Sequence, residues 1–189
     1  MEEFLIEVRK FVYSKIEATG VPSKPQVEFA TKIGKRLAKN LGANIDIVEV
    51  GTLLMDSMLG EAYKQSRGEE HAKMALKETD NLLVQSSLSE EEKENIRQCV
   101  LEHHGVSKFY SLESEICCNA DCYKFTSIKG FLISLRYTKE RPFRELVNLL
   151  TEKLNEKWNA LSLNVCKNEL TPQHKIIVGL LEELSEEEL

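Results

Sequence analysis

Four side chains in this sequence have the chemistry of metal ligands or acid–base groups and stand where neighbouring residues call for burial: Asp56, His71, His103 and Asp121. Asp56 closes VEVGTLLMD, an apolar helix-like run that reaches Met55 and then places a carboxylate where another core side chain is due. His71 stands in the first turn of a helix, above Met74 and Ala75. In IRQCVLEHH the stripe Ile96, Cys99, Val100 continues at i+3 and i+4 onto His103, while His104 is turned about 100° away and is expected at the surface. Asp121 lies in ICCNADCYKF, with Cys117 and Phe125 one turn to either side.

A carboxylate buried without a partner is costly, and buried charges persist by pairing or by holding a metal. Two imidazoles and two carboxylates suit a divalent cation. Each residue taken singly also fits an ordinary role, a hydrogen-bonded core histidine or a helix-end aspartate; their order along the chain is what turns four local oddities into one candidate site.

The elements that must position them are helices. Apolar spacings of three and four recur throughout, and no useful stretch alternates with period two, so the chain reads as all-α. The spacing predicts helices over about 3–16, 25–41, 45–56, 69–83, 90–105, 112–125, 128–137 and 142–163, with a last one opening at Thr171-Pro172. The segment with Gly60 and Gly68 reads as a loop, and Ser89-x-x-Glu92 as a capping box. The last helix carries Ile176, Ile177, Leu180, Leu181 and Leu184 on one stripe, with His174 at the surface, and the SEEEL end reads as a solvated acidic tail.

At 189 residues, with 42% hydrophobic and 30% charged side chains, the chain suits one globular domain, 1–189. Thirty-one acidic against 25 basic residues give a net charge of −6, which argues against a nucleic-acid polymer or an anionic membrane as partner. The acidic opening MEEFLIEV and the absence of a span-length apolar run point to a cytoplasmic protein. Five cysteines, an odd number clustered in helical segments, read as reduced thiols; Cys118 and Cys122 are one turn apart but lack a second pair to complete a metal site.

The order of these residues resembles the HD-domain superfamily, helical proteins that are mostly metal-dependent phosphohydrolases. QVEFATKIGKRLAKNLGANIDIVEVGTLLMD is similar to the family's opening helices, IRQCVLEHHG to its later histidine helix, and LESEICCNAD to its final aspartate helix. The resemblance covers about Gln26 to Leu135 and implies a compact HD-like core over about 20–138 with a helical extension over about 139–189. The chain departs from the family pattern at two positions, with Gln26 in place of the first histidine and Met55 in place of the histidine of the His-Asp pair.

The resemblance implies a divalent ion (Mn, Ni, Fe, Mg or Zn), one rather than two, on Asp56, His71, His103 and Asp121, with Asp56 and Asp121 in catalysis. It implies a small phosphorylated molecule or nucleotide as substrate, with Gln26, Lys64, Arg67 and Lys108 as candidate contacts. The alternative is a relative without activity that binds such a ligand or serves as a helical scaffold. The apolar stripes of the extension suit either covering the core or pairing with a second copy of the chain.

Overall fold

The computed structural model describes residues 1–138 and 141–186, with side chains described through 184. The acidic tail, and the boundary between core and extension expected near 139, therefore fall partly or wholly outside the described residues. The chain is an all-α bundle, with no strand among the described residues. Its helices are α1 (Glu2–Thr19), α2 (Lys24–Leu41), α3 (Ile45–Leu54), α4 (Leu59–Lys64), α5 (His71–Val84), α6 (Glu90–Leu101), α7 (Leu112–Thr126), α8 (Ile128–Thr138), α9 (Phe143–Ala160) and α10 (Asn164–Glu186), with a 3₁₀ turn at Gly68–Glu70 before α5.

Two helices are enclosed. All of α3 from Ile47 to Leu54 is buried, as is almost all of α7 from Ile116 to Thr126, and a helix apolar all round belongs in a core. Around them, α2 packs on both, α6 on both, α1 on α3, and α8, α9 and α10 on α7. One core cluster fills the space among α1, α2, α3, α5, α6 and α7; a second joins Phe131 of α8 to Leu146, Val147, Leu150 and Leu154 of α9 and Ile177 and Leu181 of α10. The C-terminal helices thus cover the bundle. All five cysteines are free and buried. No helix among the described residues is long and apolar enough to cross a membrane.

Local chemistry sets the helix ends. Ser23 and Gln26 form a reciprocal cap on α2, Ser89 and Glu92 on α6, and Ser111 and Ser114 on α7, each satisfying amides that have no partner within the helix. The Asn44 side chain accepts from the amides of Asp46 and Ile47 to start α3. Asn119 Oδ1 accepts from the amides of Ser162 at 3.3 Å and Leu163 at 3.2 Å, which holds the chain out of helix after Ala160.

Three sequence expectations are corrected. The stretch read as a loop with Gly60 contains α4, and Gly60 is needed there because a Cβ would stand 2.5 Å from the carbonyl oxygen of Val21. The last helix starts at Asn164 and runs through Pro172, which lies in its interior. Cys166 and Leu170 anchor that first part in the core, and Pro172 removes the helical donor of the Asn168 carbonyl, whose residue is exposed and open to solvent. Third, His174 is half-buried, stacked on Trp158 with ring centroids 3.9 Å apart.

Candidate metal centre

The end of α3, the start of α5 and the end of α6 bring three imidazoles and one carboxylate together. Asp56 sits in the turn that follows α3, His71 opens α5, and His103 and His104 occupy the turn after Leu101. Asp56, His71 and His103 are buried, and His104 is exposed on one side.

Backbone carbonyls orient two of the rings. His71 Nδ1 lies 2.7 Å from Gly68 O and His103 Nδ1 lies 2.7 Å from Val100 O. A carbonyl only accepts, so both Nδ1 atoms carry the proton, and in the neutral ring each Nε2 is left as a bare lone pair. His104 Nδ1 stands between two partners of opposite demand, Glu156 Oε1 at 3.2 Å, which accepts, and Lys157 Nζ at 2.9 Å, which donates, so the third ring is held in place without one tautomer being selected.

The three Nε2 atoms converge. His71 Nε2 is 3.2 Å from His103 Nε2 and 3.1 Å from His104 Nε2, and Asp56 Oδ1 is 3.3 Å from the first and 3.6 Å from the second. Donors held about 2.1 Å from a common ion, at angles between 90° and 109°, are about 3.0–3.4 Å apart. Three of the four distances fall in that range and the fourth, from His103 to Asp56, exceeds it by 0.2 Å; the Nδ1–H groups that His71 and His103 tie to carbonyls are the outer-shell bonds by which ligating histidines are usually oriented. The three imidazoles could hold a metal ion.

The other flank of Asp56 is occupied by lysines. Lys124 Nζ contacts Asp56 Oδ2 and lies 2.5 Å from Asp121 Oδ1. The contact with Asp121 is an ion pair without hydrogen-bond alignment, so that oxygen has no directed donor. Lys157 Nζ is 2.8 Å from Asp121 Oδ2 and 2.9 Å from Glu156 Oε1.

Charges in this cluster support one another against desolvation. Burial works to raise the Asp56 and Asp121 pKa values, but the ammonium groups, together with the imidazole bonds at Asp56, hold both well below the ordinary carboxylate range. Burial likewise works to lower Lys124 and Lys157, and the surrounding carboxylates push both above the usual lysine value. In His71 burial opposes protonation, yet the Asp56 carboxylate more than offsets it and the pKa is raised; in His104 burial prevails over the Glu156 bond and the pKa is lowered.

These groups open onto a cavity of about 770 Å³ lined by Gln26, Asp56, His71, His104, Asp121, Lys124 and Lys157, together with Lys153, Arg141, Tyr63, Phe125 and Tyr137. The loop Gly20–Ser23 lines it as well.

The structure brings Asp56, His71 and His103 together as expected but gives Asp121 a different place. Its two oxygens face ammonium groups instead of imidazoles. Gln26 lines the cavity with its amide engaged: Oε1 accepts from Ser23 N at 3.0 Å and Nε2 donates to Ser134 Oγ at 3.1 Å. Met55 is core. Lys64, Arg67 and Lys108 do not line the cavity: Lys64 Nζ donates to Ala18 O at 3.0 Å, Arg67 pairs with Glu70 at 2.6 Å, and Lys108 is exposed. The expectation that His104 points away from His103 is corrected. Rotation of 100° per residue holds only inside a helix, and α6 ends at Leu101, so the following turn aims both rings at His71.

No family model matches the chain, and no curated protein does. Solved structures do share its fold. The crystal structure of Bacillus subtilis YpgQ superposes with a TM-score of 0.68 at 13% identity over 97% of this chain and 95% of that one. The same protein crystallised in complex with ADP gives 0.67 at 14% identity over 96% of each chain. A Lactobacillus plantarum protein gives 0.66 at 15% identity over 97% of this chain and 95% of its own. At these identities the likeness establishes a shared all-α fold over nearly the whole chain.

Proposed function

We propose that this protein is a metal-dependent phosphohydrolase of the HD-domain kind acting on a small phosphate ester, with a nucleotide as the favoured substrate. The observation that carries the reading is the convergence of three imidazole Nε2 atoms, 3.1 and 3.2 Å apart, beside Asp56 Oδ1. The neutral rings of His71 and His103 aim lone pairs at each other, which repel unless a proton or a cation lies between them, and three imidazoles beside a carboxylate are a suitable donor set for a divalent transition-metal ion.

A bound ion there supplies Lewis acidity, polarising a phosphoryl oxygen and lowering the pKa of a water from 15.7 towards about 7. The chain's own groups do the rest. His71, His103 and His104 would hold the ion, the first two rings fixed by the carbonyls of Gly68 and Val100 and the third held between Glu156 and Lys157. Asp56 would be the anionic ligand through Oδ1, its Oδ2 being held by Lys124. Lys124 and Lys157 place two permanent positive charges beside the centre, where a phosphoryl group gains negative charge on attack. Tyr63, Phe125 and Tyr137 offer faces for a base, and Arg141 and Lys153 positive charge for further phosphates. The ADP complex of a protein with this fold supports a nucleotide as the ligand class. Five free buried thiols suit a reducing compartment, so we place the protein in the cytoplasm.

The test is metal content after loading with Mn, Ni, Fe, Mg or Zn, followed by product release from a panel of nucleoside mono-, di- and triphosphates. One bound ion and metal-dependent turnover are expected. No retained ion together with no turnover discards the reading.

A second reading, ligand binding without hydrolysis, draws on the engaged Gln26 amide and the buried Met55, which leave two family histidines unreplaced. It requires ADP to raise the melting temperature with no product formed, since a ligand that binds only the folded state stabilises it by mass action.

A further inference from the structure

Asp56 and Asp121 are only 6% and 1% exposed, and two carboxylates buried side by side need a counter-cation. A divalent ion is one solution, since hard cations are held by paired carboxylates and water. This chain provides another. Lys124, 7% exposed and three residues after Asp121 on the same face of α7, places its ammonium between Asp56 Oδ2 and Asp121 Oδ1, and Lys157, 3% exposed, takes Asp121 Oδ2 from α9.

Of the four carboxylate oxygens, three therefore face ammonium groups, and only Asp56 Oδ1 faces the imidazoles. The two negative charges are balanced by two positive ones before any ion enters. An ion shared by both carboxylates would have to expel Lys124 into the cavity and lose that pairing.

We propose that Lys124 is a built-in cation that closes the Asp56–Asp121 pair to a divalent ion, so that metal enters this centre on the histidine side alone. The inference deepens the proposed function and rests on it only for the histidine-side ion. The fixed ammonium carries a single charge that is not exchanged with solvent, so this half of the centre keeps its charge whatever metal is available.

The experiment is the manganese content of the full-length protein after loading and dialysis, read by mass spectrometry, with the electron paramagnetic resonance spectrum as a second readout. The wild type is expected to hold one ion with the six-line signal of isolated Mn²⁺. Lys124→Ala is expected to hold one ion more than the wild type, to show a spectrum broadened by a neighbouring spin, and to gain more in melting temperature from Mn²⁺ than the wild type does. Lys124→Arg keeps the charge and is expected to match the wild-type count. If Lys124→Ala does not fold without metal, Lys124→Ser, which leaves a hydroxyl and room for water, is measured in its place.

Two ions in the wild type overturn the inference and leave the proposed metal chemistry standing. A Lys124 variant that gains neither an ion nor extra stabilisation by Mn²⁺ also overturns it. No ion in the wild type with one gained by the variant keeps the inference and removes the histidine-side ion of the proposed function.

Discussion

Lys157 on α9 reaches Asp121 on α7 with Nζ 2.8 Å from Oδ2, and both side chains are almost fully buried. Through this pair the C-terminal helices enter the candidate site. Lys157→Met keeps the aliphatic stem and removes the charge, leaving Asp121 with Lys124 as its one remaining ammonium. Breaking a buried pair by removing one partner costs about 3–5 kcal/mol. In a domain of this size each kcal/mol shifts the melting temperature by about 2–4 °C, so a fall of roughly 6–20 °C is expected in a circular-dichroism melt. A shift within 2 °C of zero, by the same scale, would mean that the pair contributes almost nothing.

His104 is the one imidazole of the three with a solvent-exposed side, so its removal separates metal binding from folding. His104→Ala is expected to keep the wild-type stability to within about 1 kcal/mol, as surface substitutions do. Its affinity for Ni²⁺ or Mn²⁺ in equilibrium dialysis is expected to fall by more than the roughly 10–100-fold that loss of an outer-shell partner costs. Unchanged affinity would place the ion elsewhere.

What could be read from the sequence was the helical class and the burial of single residues, because both follow from local periodicity. Asp56, His71, His103 and Asp121 stood out as polar groups on apolar faces, and all four are buried. Their partners were harder to see. Lys124 is three residues from Asp121, and that i, i+3 spacing on one helix was the available signal for the pair. Lys157 carried no such signal: it lies 36 residues further on, and only the packing of α9 against α7 brings it in. His104 was misread because its direction depends on where α6 stops, and helix ends are the least legible feature of a sequence. Lys64 and Arg67 looked suitable as loop cations, yet a backbone carbonyl and Glu70 engage them outside the cavity.

The approach of α3 to α6 and α7 rests on Gly51. A Cβ there would stand 2.5 Å from Cys99 Cβ and 2.8 Å from Cys117 Sγ, closer than real contacts allow, and both neighbours are fully buried. Overpacking a core costs about 1–3 kcal/mol, against at most about 1 kcal/mol that alanine gains over glycine within a helix. Gly51→Ala is therefore expected to lower the urea midpoint with an unchanged m-value, for a net loss of about 1–2 kcal/mol. A gain in stability would show that α3 can move away from its neighbours at no cost, and with it Asp56.

Glu113, in the first turn of α7, ties three helices: Oε1 accepts from Asn44 N at 2.8 Å, at the cap of α3, and Oε2 accepts from Asn95 Nδ2 of α6 at 3.1 Å. Burial works to raise its pKa, but the Asn44 amide and the Asn95 side chain favour the charged form and hold it below the ordinary 4.5. A carboxyl whose folded-state pKa is depressed contributes stability that is fully present above its unfolded value and is lost as pH falls through the folded one. Glu113→Gln keeps an acceptor for Asn44 N but removes the charge, and charge-assisted bonds exceed neutral ones by about 1 kcal/mol. Urea unfolding is therefore expected to give a gap of about 1 kcal/mol between wild type and variant that stays constant from pH 7 down to about 5.5 and narrows steadily below about 4.5. The gap narrows because acid protonates the wild-type carboxyl and makes it the neutral equivalent of the amide. A gap of the same size at pH 7 and pH 3 would show that the charge of Glu113 does not hold these helix ends together.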